Sequence, residues 1–297
     1  MSKFKWLPYL FIIALFLGCS SGKQLTQIQE SAHTSFDAGN YAEALSQYES
    51  IIANYESLGK STECQVYTQA GISALNLDQT NKALDYLKKA TYTPFADENT
   101  YAAMAGAYRN IDNLSLEIEA LEDYVKKYPD GTDAMQMKIR LFETYVESEN
   151  WDLAFGLWPE IEPQVKVEIK QIENYYKVNE ALGNLDKVEG LADQLLEMND
   201  ENVIGLEFMA KKYYNIAENR YNAEMEAYEK KKTRKQYAKL LKALDVVTEN
   251  FKISLGYFET LYKLNPLPAY ANYMGNIYVR FNDQEKADYY HNLGQRK

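Results

Sequence analysis

Histidine is nearly missing from this chain of 297 residues: His33 and His291 are the only two. They stand near opposite ends, so a histidine-based metal centre or general base would require those ends to fold together. Both are expected to be surface or packing residues. Cysteine is equally scarce, at Cys19 and Cys64, so no disulfide framework staples the fold. Basic residues are outnumbered by acidic ones, 32 to 43, for a formal net charge of −11. A chain this acidic lacks the basic footprint that nucleic acid requires. Glycines occur singly and form no phosphate-cradling loop. Between Gly205 and Gly256 there is neither glycine nor proline. Acidic pairs such as Glu117/Glu119 and Glu147/Glu149 are expected on solvated helix faces. Asp130-Gly131-Thr132-Asp133 lacks the remaining ligands of a calcium loop and reads as a turn after Pro129. No catalytic residue, metal site or cofactor is expected, and the chain does not read as an enzyme.

What is present is apolar bulk. Hydrophobic residues make up 46% and aromatics 13%, with 26 tyrosines. That is enough to bury a core and too much for disorder. The N-terminus stands apart. Lys3 and Lys5 precede an apolar run from Leu7 to Leu17, which is too short to span a bilayer and fits the core of a signal peptide. The run ends at Phe16-Leu17-Gly18-Cys19. It resembles the precursor of a bacterial lipoprotein, cleaved before a cysteine that then carries lipid. The resemblance implies a signal peptide over 1–18, lipid on Cys19 and a tether over 19–24. Ser20, where an aspartate would mark inner-membrane retention, points to the outer membrane, facing the periplasm. Without Lys3 and Lys5 the chain is near −13. Cys64 would then have no partner, and beside Glu63 it reads as a small core hydrophobe.

From Leu25 onward the periodicity is helical, and strand alternation is absent. A unit repeats. Its first copy places Ala32 and Phe36 on one helix, Gly39-Asn40-Tyr41 at a turn, and Ala44, Tyr48 and Ile51 on a second helix. Weaker copies carry Gly71 and Ala83, Tyr101 and Tyr108, Phe142 and Tyr145, and Gly183-Asn184-Leu185. A last one carries Gly275 and Tyr278. Small residues let two antiparallel helices approach, and aromatics fill the space between pairs. Tyr48, Tyr101, Tyr108, Tyr145 and Tyr278 fall on core positions of the unit. Stacking is needed to bury the face each unit leaves apolar.

A period near 34 with this pattern resembles the tetratricopeptide repeat (TPR). The resemblance covers about residues 25–202, as roughly five units, and 265–297 as a last one. Glu117 and Val188 depart from it, standing where the family prefers alanine. It implies an all-α, right-handed superhelical solenoid that binds envelope proteins or peptides on a concave surface lined by the first helix of each pair. Carried over by register, Arg109, Glu143, Lys177 and Glu180 would face that surface.

Residues 203–264 fit the unit poorly. They read either as two long helices turning near Lys232-Thr233 or as two irregular repeats with turns near 219–221 and 249–251. The scarcity of turn residues favours the long hairpin. Its tip would carry the basic run Lys230-Lys231-Lys232-Thr233-Arg234-Lys235, with Lys231, Lys232 and Arg234 as candidate contacts for an acidic partner or anionic headgroups. The function expected is a lipid-anchored scaffold for envelope proteins. The alternatives are a component of outer-membrane β-barrel assembly and a lipoprotein that binds glycans or peptides.

Overall fold

A computed structural model describes residues 17–295, with side chains from Gln24 onward. Among the described residues the structure is all-α, with fourteen helices and no strand. The run expected as a signal peptide falls outside the description except for Leu17 and Gly18. Helix α1 (Leu17–Asp37) includes residues 19–24, the stretch expected as a tether. No described helix is long and apolar enough to cross a membrane.

The chain divides into two compact units, Met1–Asn150 and Trp151–Lys297. In the first unit, α1 pairs with α2 (Tyr41–Ser57), α3 (Tyr67–Leu75) with α4 (Thr80–Thr91), and α5 (Glu98–Asn110) with α6 (Leu114–Lys127). Helix α7 (Ala134–Glu147) packs on α6. In the second unit, α8 (Trp151–Val165) packs on α9 (Ile169–Ala181), and α9 on α10 (Leu185–Met198). Two long helices follow, α11 (Val203–Lys230) and α12 (Arg234–Leu264). The unit closes with α13 (Pro268–Arg280) and α14 (Gln284–Gly294). The expected fourth repeat is therefore split, with α7 in one unit and α8 in the other.

A single backbone device builds the turn inside the repeats. Two residues past the first helix, or three in the case of Asp78, the chain enters the left-handed region, at Gly39 (φ 76°), Asp78 (57°), Asp112 (55°), Glu149 (59°), Gly183 (73°) and Asn282 (57°). At each of them two N–H groups reach back to carbonyls of the helix just ended. Asn40 N–H donates to Ser35 O at 2.8 Å and Gly39 N–H to Phe36 O at 2.9 Å. Asn113 to Tyr108 (3.0 Å) and Asn184 to Asn179 (2.9 Å) repeat the longer bond. This paired closure satisfies carbonyls that a helix end leaves without partners. Only two of the six positions are glycine, although an L side chain there costs about 1–2 kcal/mol.

The pairs then pack as the residue pattern requires. Ala32, Ala44, Tyr48 and Ile51 are fully buried, with Phe36 packed against them. A Cβ on Gly71 would sit 2.6 Å from the Leu87 side chain, so glycine sets the approach of α3 and α4. All five tyrosines expected in the core are buried. Cys64 is buried too, and burial raises its thiol pKa, as suits a packing residue and not a nucleophile. His33 Nδ1 lies 3.0 Å from the Tyr48 hydroxyl, and His291 lies against Gly275 with Nε2 3.0 Å from Asn276 Oδ1.

Residues 203–264 form the long hairpin, of 28 and 31 residues. They span about 42 and 46 Å at 1.5 Å per residue. Helix α12 is continuous through 248–250, where Thr248 and Asn250 bond back to carbonyls four residues earlier. The turn at 231–233 contains no left-handed residue, and Thr233 caps α12 through its hydroxyl at 3.2 Å from Gln236 N.

The turn device yields a direct prediction. Glu149→Gly should raise the free energy of unfolding by about 1 kcal/mol, and Gly39→Ala should lower it by a similar amount. Equilibrium unfolding followed by circular dichroism measures both.

Candidate functional site

Arg109 and Glu143 lie in the first unit, Lys177 and Glu180 in the second. The first pair is best understood from Glu117. This carboxylate, expected on a solvated face, is fully buried in α6. It stands at the position of closest approach between helices, facing inward, where solvent cannot reach it. Two arginines compensate its charge. Arg140 Nε on α7 donates to Oε1 at 2.9 Å, and Arg109 Nε on α5 lies 2.8 Å from Oε2 as an ion pair. Arg109 also donates to Thr144 Oγ1 (3.1 Å) and Glu147 Oε2 (2.5 Å), and Arg140 to the Ala105 carbonyl (3.3 Å). Burial alone would lower the Arg109 pKa; the carboxylates of Glu147 and Glu117 outweigh it and hold the guanidinium charged. Arg109 thus spans α5, α6 and α7 with its donors engaged. Glu143, on α7, is half-buried.

Lys177 and Glu180 share a wall. They are exposed on α9, beside a cleft of about 340 Å³ whose other wall is the first half of α11. Both are first helices of their pairs. The floor is apolar, formed by Ile204 and Phe208, with the Phe208 ring edge-on to Tyr176 (centroids 6.3 Å apart, 83° between planes). Burial raises the Tyr176 pKa and Glu180 raises it further.

Charged groups rim that floor. Lys211 pairs with Glu207 at 2.7 Å and Lys212 with Glu189 of α10 at 2.6 Å. Glu207 also accepts from the Tyr270 hydroxyl of α13. Burial opposes its ionisation, but the bonds from Lys211 and Tyr270 prevail and lower its pKa. Lys177 carries no ion pair among the described residues. With Glu180 the rim holds three lysines against three carboxylates, and Lys177 is the lysine among them without an ion pair. Glu207, Phe208, Lys211 and Lys212 escape sequence reasoning because they lie on α11, where the repeat signature fails. Their spacing of one and three to four residues along one helix is the only signal they leave.

A larger, more open concavity of about 590 Å³ lies between Asp200-Glu201 and the outer face of α12, with Ile253 and Tyr257 along it. Charged side chains interrupt its apolar lining, so it offers a weaker seat than the α9/α11 cleft. Lys231, Lys232 and Arg234 are exposed at the hairpin turn, separate from the cleft lining. No group of three or more potential metal ligands occurs among the described residues.

No family model matches the chain, and no curated protein matches it. Solved structures do resemble it. The C-terminal part of a TPR repeat-containing protein from Cytophaga hutchinsonii matches 89% of this chain and 93% of its own, at 16% identity and a TM-score of 0.51. A tetratricopeptide repeat protein from Parabacteroides merdae matches 93% and 95%, at 12% identity and a TM-score of 0.46. YrrB, described as a TPR protein with an unusual peptide-binding site, matches 62% and 90%, at 14% identity and a TM-score of 0.49. At such identities the likeness concerns fold, and the fold of this chain is TPR-like.

The buried carboxylate carries its own prediction. Glu117→Ala, although it restores a small residue, should destabilise the protein by about 3 kcal/mol, because two arginines lose their shared partner. Adding Arg140→Leu should recover part of the loss. Thermal denaturation of the single and double variants measures the difference.

Proposed function

We propose that the chain is a protein-interaction scaffold, held at the bacterial envelope by lipid on Cys19, that binds an extended peptide segment in the α9/α11 cleft. The observation that carries this is the cleft itself: an apolar floor of Ile204 and Phe208 between two first helices, rimmed by lysines. An aliphatic or aromatic side chain would fill the floor, excluding water from Phe208. A carboxylate on the same peptide would pair with Lys177, which has no competing acid. The volume is at the small end for a ligand site. It suits one or two side chains of a longer segment, with the remaining contacts spread along neighbouring helices. Lys177, as the unpaired cation of the rim, would favour a segment with a carboxylate beside its apolar side chain and set its orientation.

Lipid attachment is supported by the Lys3-Lys5 flank, the apolar run from Leu7 and the Gly18-Cys19 junction. Tethering raises the effective concentration of a weak peptide site for partners in the same membrane.

A photo-crosslinking residue at Asn215, in the cleft, should capture envelope proteins in cells. Phe208→Asp or Lys177→Glu should reduce that capture at least about tenfold while the helical content is retained. Equal capture by these variants, or an identical pattern from a crosslinker at Lys263 on the outer face, would exclude the cleft. The anchor is read separately. Metabolic labelling with a fatty acid should mark the native chain and vanish in Cys19→Ala, with the protein moving from the membrane to the soluble fraction.

A further inference from the structure

The hairpin outlasts its support. At its base, α13 and the residue that ends it cover the hairpin through Phe251 against Phe281, Phe258 stacked on Tyr273 (4.6 Å) and Tyr214 against Tyr273 (4.9 Å). Farther out, Arg280 from the end of α13 grips Glu218 with two bonds of 2.8 Å and lies 4.1 Å over the Tyr221 ring. Beyond Tyr221, α11 contributes no buried residue, and the two helices hold each other through pairs such as Tyr228 with Tyr237 (5.8 Å) and Glu224 with Lys239 (3.3 Å). From 222 to the turn is about 13 Å of helix. Within its unit this end of the hairpin has no third layer.

Its charge is opposite to that of the chain. Between 230 and 244 there are seven basic residues and no acidic one. Lys230 and Lys232 have carboxylate partners on α11, Glu226 (2.5 Å) and Glu229 (2.7 Å), in exposed pairs that solvent weakens. Lys231, Arg234 and Lys235 have none among the described residues. Alongside these cations, Tyr237 and Leu241 are 50% and 47% exposed, one turn apart on the same edge of α12 as Arg234. A Lys/Arg cluster bordered by an exposed tyrosine and leucine is the composition that settles at a lipid–water interface. The cations meet headgroup phosphates while the apolar pair enters the acyl boundary. A purely acidic protein partner would leave Tyr237 and Leu241 unexplained. The projection also matters. At physiological salt, charge is screened over about 8 Å, so the acidic body does not repel the surface that the tip touches.

We infer that the 231–241 tip is a second membrane contact, binding the anionic phospholipid surface through Lys231, Lys232, Arg234 and Lys235 and seating Tyr237 and Leu241 in it. A basic patch of this kind adds an electrostatic attachment to whatever hold the N-terminus has on the membrane. The contact uses no residue of the α9/α11 cleft, so it stands or falls separately from peptide binding there.

The test is flotation of the full chain with phosphatidylcholine vesicles, with and without phosphatidylglycerol. The neutral vesicles report whatever the N-terminal apolar run contributes. The native chain should partition onto the anionic vesicles at least about tenfold more strongly, with the gain fading at high salt. In Lys231→Glu/Lys232→Glu/Arg234→Glu the gain should disappear. If that variant loses helical content, the three glutamine substitutions replace it. Leu241→Ser should reduce the gain and leave its salt dependence. The inference is overturned if the native chain makes no distinction between the vesicles, or if the reversed variant keeps the gain. Capture of a polyglutamate peptide without preference for anionic vesicles would overturn it in favour of an acidic protein partner.

Discussion

The fold depends on a single residue in each turn, placed two or three positions past the first helix and held in the left-handed region. That conformation lets two successive N–H groups close the helix end and sends the chain back antiparallel within a few residues. The tight return brings Ala44 against Ala32, and the other small residues to their partners, so the aromatics are left to fill the gap to the next pair. No residue at 219–221 or 249–251 takes up this conformation, and there the helices run on to about twice the usual length. The hairpin and its bare tip therefore follow from two absent turns.

Much of this was legible in the residues. Gly39-Asn40-Tyr41 and Gly183-Asn184-Leu185 announce their turns because glycine enters the left-handed region without strain. Asp112 and Glu149 occupy the same conformation with side chains that do not advertise it, so those turns were read from the flanking helices. The lack of glycine and proline over 206–255 foretold the long helices, and the structure shows them unbroken. Glu117 occupies a position where the repeat prefers a small buried residue, but an acidic pair on a helix reads as solvated unless its partners are visible. Its compensating arginines sit 8 residues before it and 23 after, on other helices. The division at Asn150 was equally hidden, since α7 and α8 each carry an ordinary repeat pattern.

The cleft shows how a degenerate repeat acquires a distinct surface. On α9 the repeat register points to Lys177 and Glu180, which line the cleft. On α11 the register had lapsed, and the floor and most of the rim come from there. Glu207 joins the two demands on this helix, steadying Lys211 at the rim while fixing Tyr270 of α13 behind it. The side chain that shapes the cleft's charge is thus also part of the packing that supports the hairpin.

Helix pairs in a stacked array ordinarily fray from an end, each one releasing only its nearest neighbour. Glu117 removes that freedom for three helices. Detaching α7 would strip Arg140 from a carboxylate that stays enclosed, and detaching α5 would strip Arg109, so neither departure is cheap alone. Helices α5, α6 and α7 are consequently expected to exchange their amide hydrogens as one cooperative block, a rigid internal segment in an otherwise incremental array.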